Sequence, residues 1–166
     1  MSEIFHVLRS DQFDKKFLDE LYAITNNLRK ISRTKRGADY LRKLMSEKRA
    51  ILYFTQPSTR TFLSFLNACQ ILGIQTSEIR DSNTSSEMKG ETAEDAIRTF
   101  SSYVDMIIMR SPKAGLAQSI ADLLDKTPRR VPVINGGSGK DEHPTQALLD
   151  IYTLRRSFGK NGGDID

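Results

Sequence analysis

The sequence contains a single cysteine, Cys69, among its 166 residues. One thiol excludes a disulfide within the chain and a metal cluster held by cysteines. The sequence also lacks any apolar run near the roughly 18 residues of a membrane span. Its first residues, MSEIFHVLRSD, include no apolar core of signal-peptide length. We therefore predict a cytoplasmic protein that makes no membrane contact.

The charge balance is only slightly basic, with 25 Lys and Arg against 21 Asp and Glu. No long basic block and no interleaving of aromatic with basic residues is present, so nucleic acid is not an expected partner. A small anionic substrate suits this balance at least as well. With 38% apolar and 28% charged residues, the composition is that of an ordinary globular domain.

Short apolar runs alternate with amphipathic stretches along the chain. The run AILYF at residues 50–54 is typical of a strand that is buried on both faces of a parallel sheet. Such alternation predicts an α/β fold, with a parallel β-sheet of about four strands and helices on both faces. The predicted strands are residues 50–54, 74–79, 105–109 and 130–134, and the predicted helices are residues 11–30, 37–48, 58–72, 92–103, 114–125 and 144–158.

The last residues of the chain, GKNGGDID, have the composition of a linker. We expect residues 1–158 to form one domain, whose last helix crosses toward a second domain. Residues 159–166 would then connect to that second domain, which is absent from this chain.

Three polar segments follow predicted strands, at residues 57–61, 110–112 and 135–146. In open α/β sheets, ligands bind beyond the carboxyl ends of the strands. The fold would therefore bring these distant segments to one edge of the sheet.

The first segment places Ser58, Thr59, Arg60 and Thr61 at the start of a helix. A helix N-terminus attracts anions through its free N–H groups and its dipole. The hydroxyls add donors, and the Arg60 guanidinium matches phosphate or carboxylate with two parallel hydrogen bonds. The alternative is a simple helix cap with Arg60 in solvent.

The second segment contains Arg110, and the third contains His143 and Gln146. A second cation at the same edge would help to neutralise a dianion. His143 and Gln146 are three residues apart at a helix entry, and the imidazole could donate to a carbonyl oxygen as charge develops on it. Alternatively, Arg110 is a solvated strand end and His143 a helix cap. The glycine-rich residues 136–140 do not match the phosphate-binding P-loop pattern.

Phe62, Phe65, Leu66 and Cys69 recur at helical spacing on one face of the predicted helix 58–72. This stripe predicts that the helix packs on the core. Cys69 belongs to the stripe, and we interpret it as a buried small hydrophobe and not as a nucleophile.

Three motifs closely resemble those of carbamoyltransferases. PSTRT at residues 57–61, followed by Ser64 and Phe65, resembles the first signature of the aspartate/ornithine carbamoyltransferase family, and HPTQALLD at residues 143–150 resembles the second. SSEMKGE at residues 85–91 is similar to the mobile substrate loop of the aspartate-specific members, which the ornithine-specific members lack. The resemblance spans nearly the whole chain.

This resemblance implies a carbamoyl-phosphate-binding domain, the amino-terminal half of a two-domain subunit that transfers a carbamoyl group to L-aspartate in pyrimidine biosynthesis. It implies no metal and no cofactor, and a homotrimer for the full-length protein. The implied phosphate-binding residues are Ser58, Thr59, Arg60, Thr61 and Arg110. Carbonyl-oxygen contacts are implied for Thr61, Arg110 and His143, a contact to the carbamoyl nitrogen for Gln146, and contacts from a neighbouring subunit for Ser85 and Lys89.

The sequence departs from the family pattern at a few positions. Gln56 stands where a glutamate usually bridges the two domains, and Phe62 and Leu66 replace an Arg and Glu pair. Two other interpretations remain: a non-catalytic binding module that kept the anion pocket, and a carbamoyltransferase with another acceptor such as ornithine. Lys89 argues against ornithine, since a cation there suits a dicarboxylate. We expect the chain alone to bind its anion without turning over aspartate.

Overall fold

The computed structural model describes residues 4–80 and 92–159. Four strands form one parallel sheet in the order β2-β1-β3-β4. This confirms the predicted α/β class and the number of strands. The strands are β1 (Arg49–Phe54), β2 (Gln75–Ile79), β3 (Met106–Ser111) and β4 (Val133–Ser138).

Six helices surround the sheet. The fourth begins after Thr92, whose side chain caps it by accepting a hydrogen bond from the Asp95 N–H. Gly73 ends the third in a left-handed conformation with φ +80°. The helices are α1 (Lys15–Ile31), α2 (Lys35–Leu44), α3 (Thr59–Leu72), α4 (Ala93–Phe100), α5 (Leu116–Leu124) and α6 (Pro144–Gly159).

Both faces of the sheet carry a core, as predicted. On one face Tyr53 and Ile107 pack with α4 and α5, and on the other Leu52 and Ile108 pack with α3. Alternate residues of the central strands thus point into different cores. The near-continuous apolar runs of β1 and β3 follow from this two-sided burial.

The boundaries of the first two helices differ from prediction. Helix α1 begins at Lys15 and not at residue 11, because Asp14 caps it by accepting from the Phe17 N–H at 2.7 Å. Helix α2 begins after Thr34, whose hydroxyl accepts from a first-turn N–H, and it ends at Leu44. In both cases the side chain nearest to the first free N–H groups sets the start.

The fourth strand also differs from prediction. It runs from Val133 through Gly136 and Gly137 to Ser138, whereas the sequence predicted residues 130–134. An added Cβ at Gly136 would lie 3.1 Å from the Phe65 ring, so the close approach of α3 leaves little room for a side chain there. These glycines continue the strand because they pack closely against neighbouring residues. The strand propensity of a single sequence does not include such contacts.

The segment before α1 lies along β4. Val7 forms a parallel bridge with Ile134, and its N–H and C=O pair with Val133 and Asn135. This segment covers an edge of the sheet that would otherwise expose unpaired backbone groups. Within the described residues, none of the helices combines the length and apolar character needed to cross a membrane.

Candidate anion-binding site

A pocket of about 820 Å³ opens at the carboxyl edge of the sheet. It joins the start of α3, the end of β3 and the start of α6, which are the three segments that the sequence predicted to meet. Arg60 and Arg110 both line it, so the two cations share one cavity. The lining residues are Ser58, Arg60, Thr61, Ser64, Phe65, Ala68, Arg110, His143, Thr145, Gln146 and Leu149.

The start of α3 supplies hydroxyls and a helix N-terminus to this pocket. Ser58 occupies the cap position, yet its side chain forms no capping hydrogen bond. Of the alternative interpretation, the cap position of Ser58 and the exposure of Arg60 are observed, but the capping hydrogen bond from the Ser58 side chain is not. Arg60 is exposed and Thr61 is half-buried at the pocket wall. The Ser58 hydroxyl and the free N–H groups of the first turn together offer an anion several donors.

Arg110 is held at both its backbone and its side chain. Its carbonyl accepts from the N–H groups of Thr55 and Gln56 at 2.9 and 3.3 Å, and its Nη1 donates to the Gly136 carbonyl at 3.0 Å. Burial lowers the pKa of the guanidinium. Among the described residues, its Nε is the one buried side-chain polar atom without a hydrogen-bond partner. A desolvated cation with an unused donor favours an anion beside it.

Gly137 makes room for both Arg110 and His143. It has φ +115°, a backbone conformation that L side chains rarely adopt. A Cβ at this position would overlap Arg110 Nη1 and would lie 3.0 Å from the His143 Cδ2 atom. The backbone conformation favours glycine here, and any larger residue would also displace the Arg110 guanidinium that lies beside the imidazole.

His143 precedes α6 and is half-buried at the pocket. It stands at the cap position of α6, where its backbone carbonyl accepts the first helical hydrogen bonds, from the N–H groups of Gln146 and Ala147. Burial lowers the pKa of the imidazole, and the nearby Arg110 charge lowers it further. A neutral imidazole beside a cation can donate one hydrogen bond to an oxygen on which charge develops.

The titration of His143 is directly measurable, because the chain has only two histidines. We expect its NMR midpoint in the ligand-free protein to lie below the ordinary value of 6.5. As the pH falls below 6.5, the unfolded chain takes up this proton first, and the folded state loses stability until its own lowered pKa is reached. The variant His143→Gln identifies the signal and removes this part of the pH dependence.

Replacing the neighbouring cation provides the control. In Arg110→Met the His143 midpoint should rise, because the Arg110 charge is the second cause of the lowered pKa. A midpoint at or above 6.5 in the wild-type protein would contradict the described environment of the ring.

Gln146 lies one turn into α6 and also lines the pocket. Its amide nitrogen donates to Asp150 Oδ1 at 2.9 Å. With the nitrogen engaged in this way, the amide oxygen is the atom that can accept from a ligand N–H.

Not every predicted site residue is placed here. Among the candidates that the structure describes, Thr59 is the exception, exposed in the first turn of α3 and outside the pocket lining. Ser85 and Lys89 lie outside the described residues. So do residues 160–166 of the predicted linker, whereas Gly159 ends α6. Within the described part of the chain, no group of three or more His, Cys, Asp or Glu side chains is placed to hold a metal ion.

The positions that depart from the family pattern have defined contacts. The Phe62 ring is buried edge-on to Phe54, and the Arg80 guanidinium lies 4.3 Å from its centroid. Leu66 packs against the same core. Gln56 accepts a hydrogen bond from the Gly139 N–H at 3.2 Å, which links the approach to α3 with the loop before His143. Cys69 is buried, as predicted, and burial raises the pKa of its thiol.

Sequence reasoning placed residues 135–146 at this edge of the sheet but assigned no role to Asn135 or to the glycines. The pair Gly136 and Gly137 directly after an apolar strand was the available signal, since glycine in a strand often marks a close backbone approach. Together, fold and pocket define an α/β domain with a cationic pocket at the carboxyl edge of its parallel sheet.

The comparisons with known proteins agree with this class. The family model "Aspartate/ornithine carbamoyltransferase, carbamoyl-P binding domain" matches residues 6–156. The chain belongs to this family. The chloroplastic aspartate carbamoyltransferase of Arabidopsis thaliana is 38% identical over 164 residues, which cover 97% of this chain and 39% of that protein.

Two solved structures share the fold over 93% of this chain. The catalytic subunit of M. jannaschii aspartate transcarbamoylase has a TM-score of 0.81 at 35% identity, with 48% of that chain covered. Aspartate transcarbamoylase from Trypanosoma cruzi in complex with carbamoyl phosphate has a TM-score of 0.82 at 29% identity, with 47% covered. The chain thus spans about half the length of these relatives, or less.

Proposed function

We propose that the chain binds carbamoyl phosphate as one half of an aspartate carbamoyltransferase. The observation that carries this proposal is the single pocket in which Arg60, Arg110 and His143 converge. A dianionic phosphate fits two cations and a helix N-terminus, while the carbamoyl carbonyl needs one further donor. The named relatives, one of them in complex with carbamoyl phosphate, support the same ligand.

In this assignment some pocket residues bind the phosphate of the ligand and others bind its carbamoyl group. The start of α3 and Arg110 hold the phosphate, and the His143 imidazole donates to the carbonyl oxygen with Thr61 and Arg110. The Gln146 amide oxygen accepts from the carbamoyl NH₂ group, in keeping with its amide nitrogen donating to Asp150. At the helix, Ser58, Arg60 and Thr61 form the phosphate-binding part, whereas the predicted Thr59 lies outside the pocket lining.

The reaction needs these groups as preorganised donors. The aspartate amine nitrogen forms a bond to the carbamoyl carbon and loses a proton, and the bond from that carbon to the phosphate oxygen breaks. Negative charge grows on the carbonyl oxygen, where fixed donors stabilise it more in the transition state than in the substrate. Holding both reactants together removes much of the entropic cost.

The remaining parts of the proposal concern the whole protein. We infer that Ser85 and Lys89 complete the site from a neighbouring subunit of a homotrimer, and that aspartate is bound by a second domain. A role in pyrimidine biosynthesis in the cytoplasm follows as a prediction. The cited plant relative is named chloroplastic, so the compartment depends on the organism.

Calorimetry tests the ligand assignment. Titration of the protein with carbamoyl phosphate, and separately with inorganic phosphate, should show one site that binds both anions, with carbamoyl phosphate the tighter because it also engages His143 and Gln146. Sulfate and acetate serve as controls for charge alone. Absence of heat with both phosphates at millimolar concentration would refute the assignment.

An activity assay tests whether this chain needs the proposed second domain for turnover. The purified chain should form no carbamoylaspartate from carbamoyl phosphate and aspartate, since the proposed aspartate-binding domain lies outside it. Turnover by this chain alone would show that the second domain is dispensable and would overturn this part of the proposal.

A further inference from the structure

Asn135 is a buried polar residue of β4 that lies behind the pocket. It is 3% exposed, and both ends of its side chain are hydrogen-bonded. Its Nδ2 donates to the Leu8 carbonyl at 3.0 Å, and its Oδ1 accepts from the Gly137 N–H at 2.9 Å. The side chain thus ties the segment before α1 to the glycine that makes room for Arg110.

A single peptide group connects Asn135 with Arg110, because each side chain forms a hydrogen bond with it. The peptide that joins Gly136 to Gly137 has its N–H on Asn135 Oδ1, and its C=O accepts from Arg110 Nη1 at 3.0 Å. Because a peptide group is planar, fixing the direction of the N–H also fixes the direction of the C=O. Asn135 therefore sets the orientation of the acceptor that holds the guanidinium.

The hydrogen bonds to this peptide group come from side chains and not from the ladder between the strands. The register of β3 and β4 runs from Met109 opposite Asn135 to Ser111 opposite Ser138, so two glycines face the single residue Arg110. Such a bulge interrupts the regular ladder. Glycine adds backbone freedom at this point, and Gly137 has φ +115°. The side chains of Asn135 and Arg110 supply the hydrogen bonds that the ladder does not.

We propose that Asn135 is a positioning residue for Arg110, acting through the Gly136–Gly137 peptide. This inference rests on the proposed function in one respect only, namely that Arg110 binds the phosphate of the ligand. Asn135 itself does not line the pocket that holds Arg110 and His143. Its action is to hold the Arg110 guanidinium, through Nη1 on the Gly136 carbonyl, in its place in the pocket lining.

The test follows the Arg110 side chain by NMR in the ligand-free protein, with the Nε–H signal assigned by Arg110→Lys. In Asn135→Ser the hydroxyl and an added water can satisfy the neighbouring backbone groups, but no fixed acceptor holds the Gly137 N–H. We expect Arg110 Nε–H to gain rapid motion in this variant. In Asn135→Asp an acceptor remains, and the Nε–H should stay as ordered as in the wild type.

Val133→Ala is the matched control for loss of stability. Val133 is fully buried on the same strand, two residues before Asn135, and its truncation leaves a cavity without removing the hydrogen bond to Gly137. It should leave the Arg110 signal unchanged. Equal order of Arg110 in the wild type and in Asn135→Ser, or equal mobility in Asn135→Ser and Val133→Ala, would overturn the inference.

Two further measurements separate this inference from the proposed function. The Gly137 amide of the wild type should exchange slowly with solvent, and fast exchange would overturn the relay even if Asn135→Ser does not fold. Affinity for inorganic phosphate should fall about tenfold in Asn135→Ser, the size expected for one lost hydrogen bond. If the wild type binds no phosphate, the proposed function fails, and the NMR comparison still decides the role of Asn135.

Discussion

Arg110→Ala is expected to weaken the binding of carbamoyl phosphate by about thirtyfold or more, since truncating one partner of a buried charge pair costs about 2–5 kcal/mol. The guanidinium is desolvated, its Nη1 is fixed on Gly136, and its Nε has no partner among the described residues. Removing it leaves the phosphate with Arg60 as the remaining guanidinium in the pocket lining. Calorimetry with the phosphate ligands measures the loss.

Two variants make the result specific. Arg110→Lys keeps a positive charge but loses the planar fork, so its affinity should lie between those of the wild type and Arg110→Ala. Arg36→Ala removes an exposed cation of α2 and should bind like the wild type, which controls for net charge. If Arg36→Ala weakens binding as much as Arg110→Ala, the anion responds to overall charge and not to this pocket.

The thermal shift gives an independent readout. A ligand that binds only the folded state raises the unfolding temperature in proportion to the logarithm of its concentration over its dissociation constant. At a phosphate concentration near the wild-type dissociation constant, the shift seen in the wild type should fall almost to zero in Arg110→Ala. This comparison uses each variant as its own ligand-free reference, so a change in basal stability does not affect it.

The parallel sheet was predictable because burial on both faces leaves a direct mark on the sequence. Residues 50–54 are apolar at successive positions, and each of them is buried in the structure. The edge strand β2 was found mainly from its place between two helices. Its end at Ile79 is confirmed, although its exposed residues give little pattern. Helix starts at Lys15 and Lys35 were missed, because capping is decided by single hydrogen bonds.

The pocket residues were predictable for another reason. Residues after parallel strands meet at one edge, so the sequence alone groups Arg60, Arg110 and His143. Gly137 could not be included, because a glycine carries no chemistry of its own and its requirement depends on the atoms beside it. The role of Asn135 was also missed, although its segment was placed at this edge, since the bulge that gives its side chain a partner is a property of two paired strands.

Gly137→Ala is expected to have the second largest effect, on both stability and binding. A side chain at φ +115° costs about 1–3 kcal/mol in backbone strain. The added Cβ would also overlap Arg110 Nη1 and press on the His143 ring, so the guanidinium and the imidazole must move apart. We therefore expect a lower unfolding temperature and at least about a tenfold loss of carbamoyl phosphate affinity, given that the displaced Arg110 loses a charged hydrogen bond.

Gly115→Ala is the control that separates these two effects. Gly115 also has a positive φ, +72°, but nothing lies within 4 Å of a Cβ added there. Its replacement by alanine should lower the unfolding temperature through backbone strain alone and leave the affinity for phosphate ligands unchanged. If the two variants bind equally well, Arg110 and His143 tolerate displacement, and their close packing around Gly137 does not matter for the anion. Loss of binding in Gly137→Ala alone would show that the bulge in β4 exists to place these two donors.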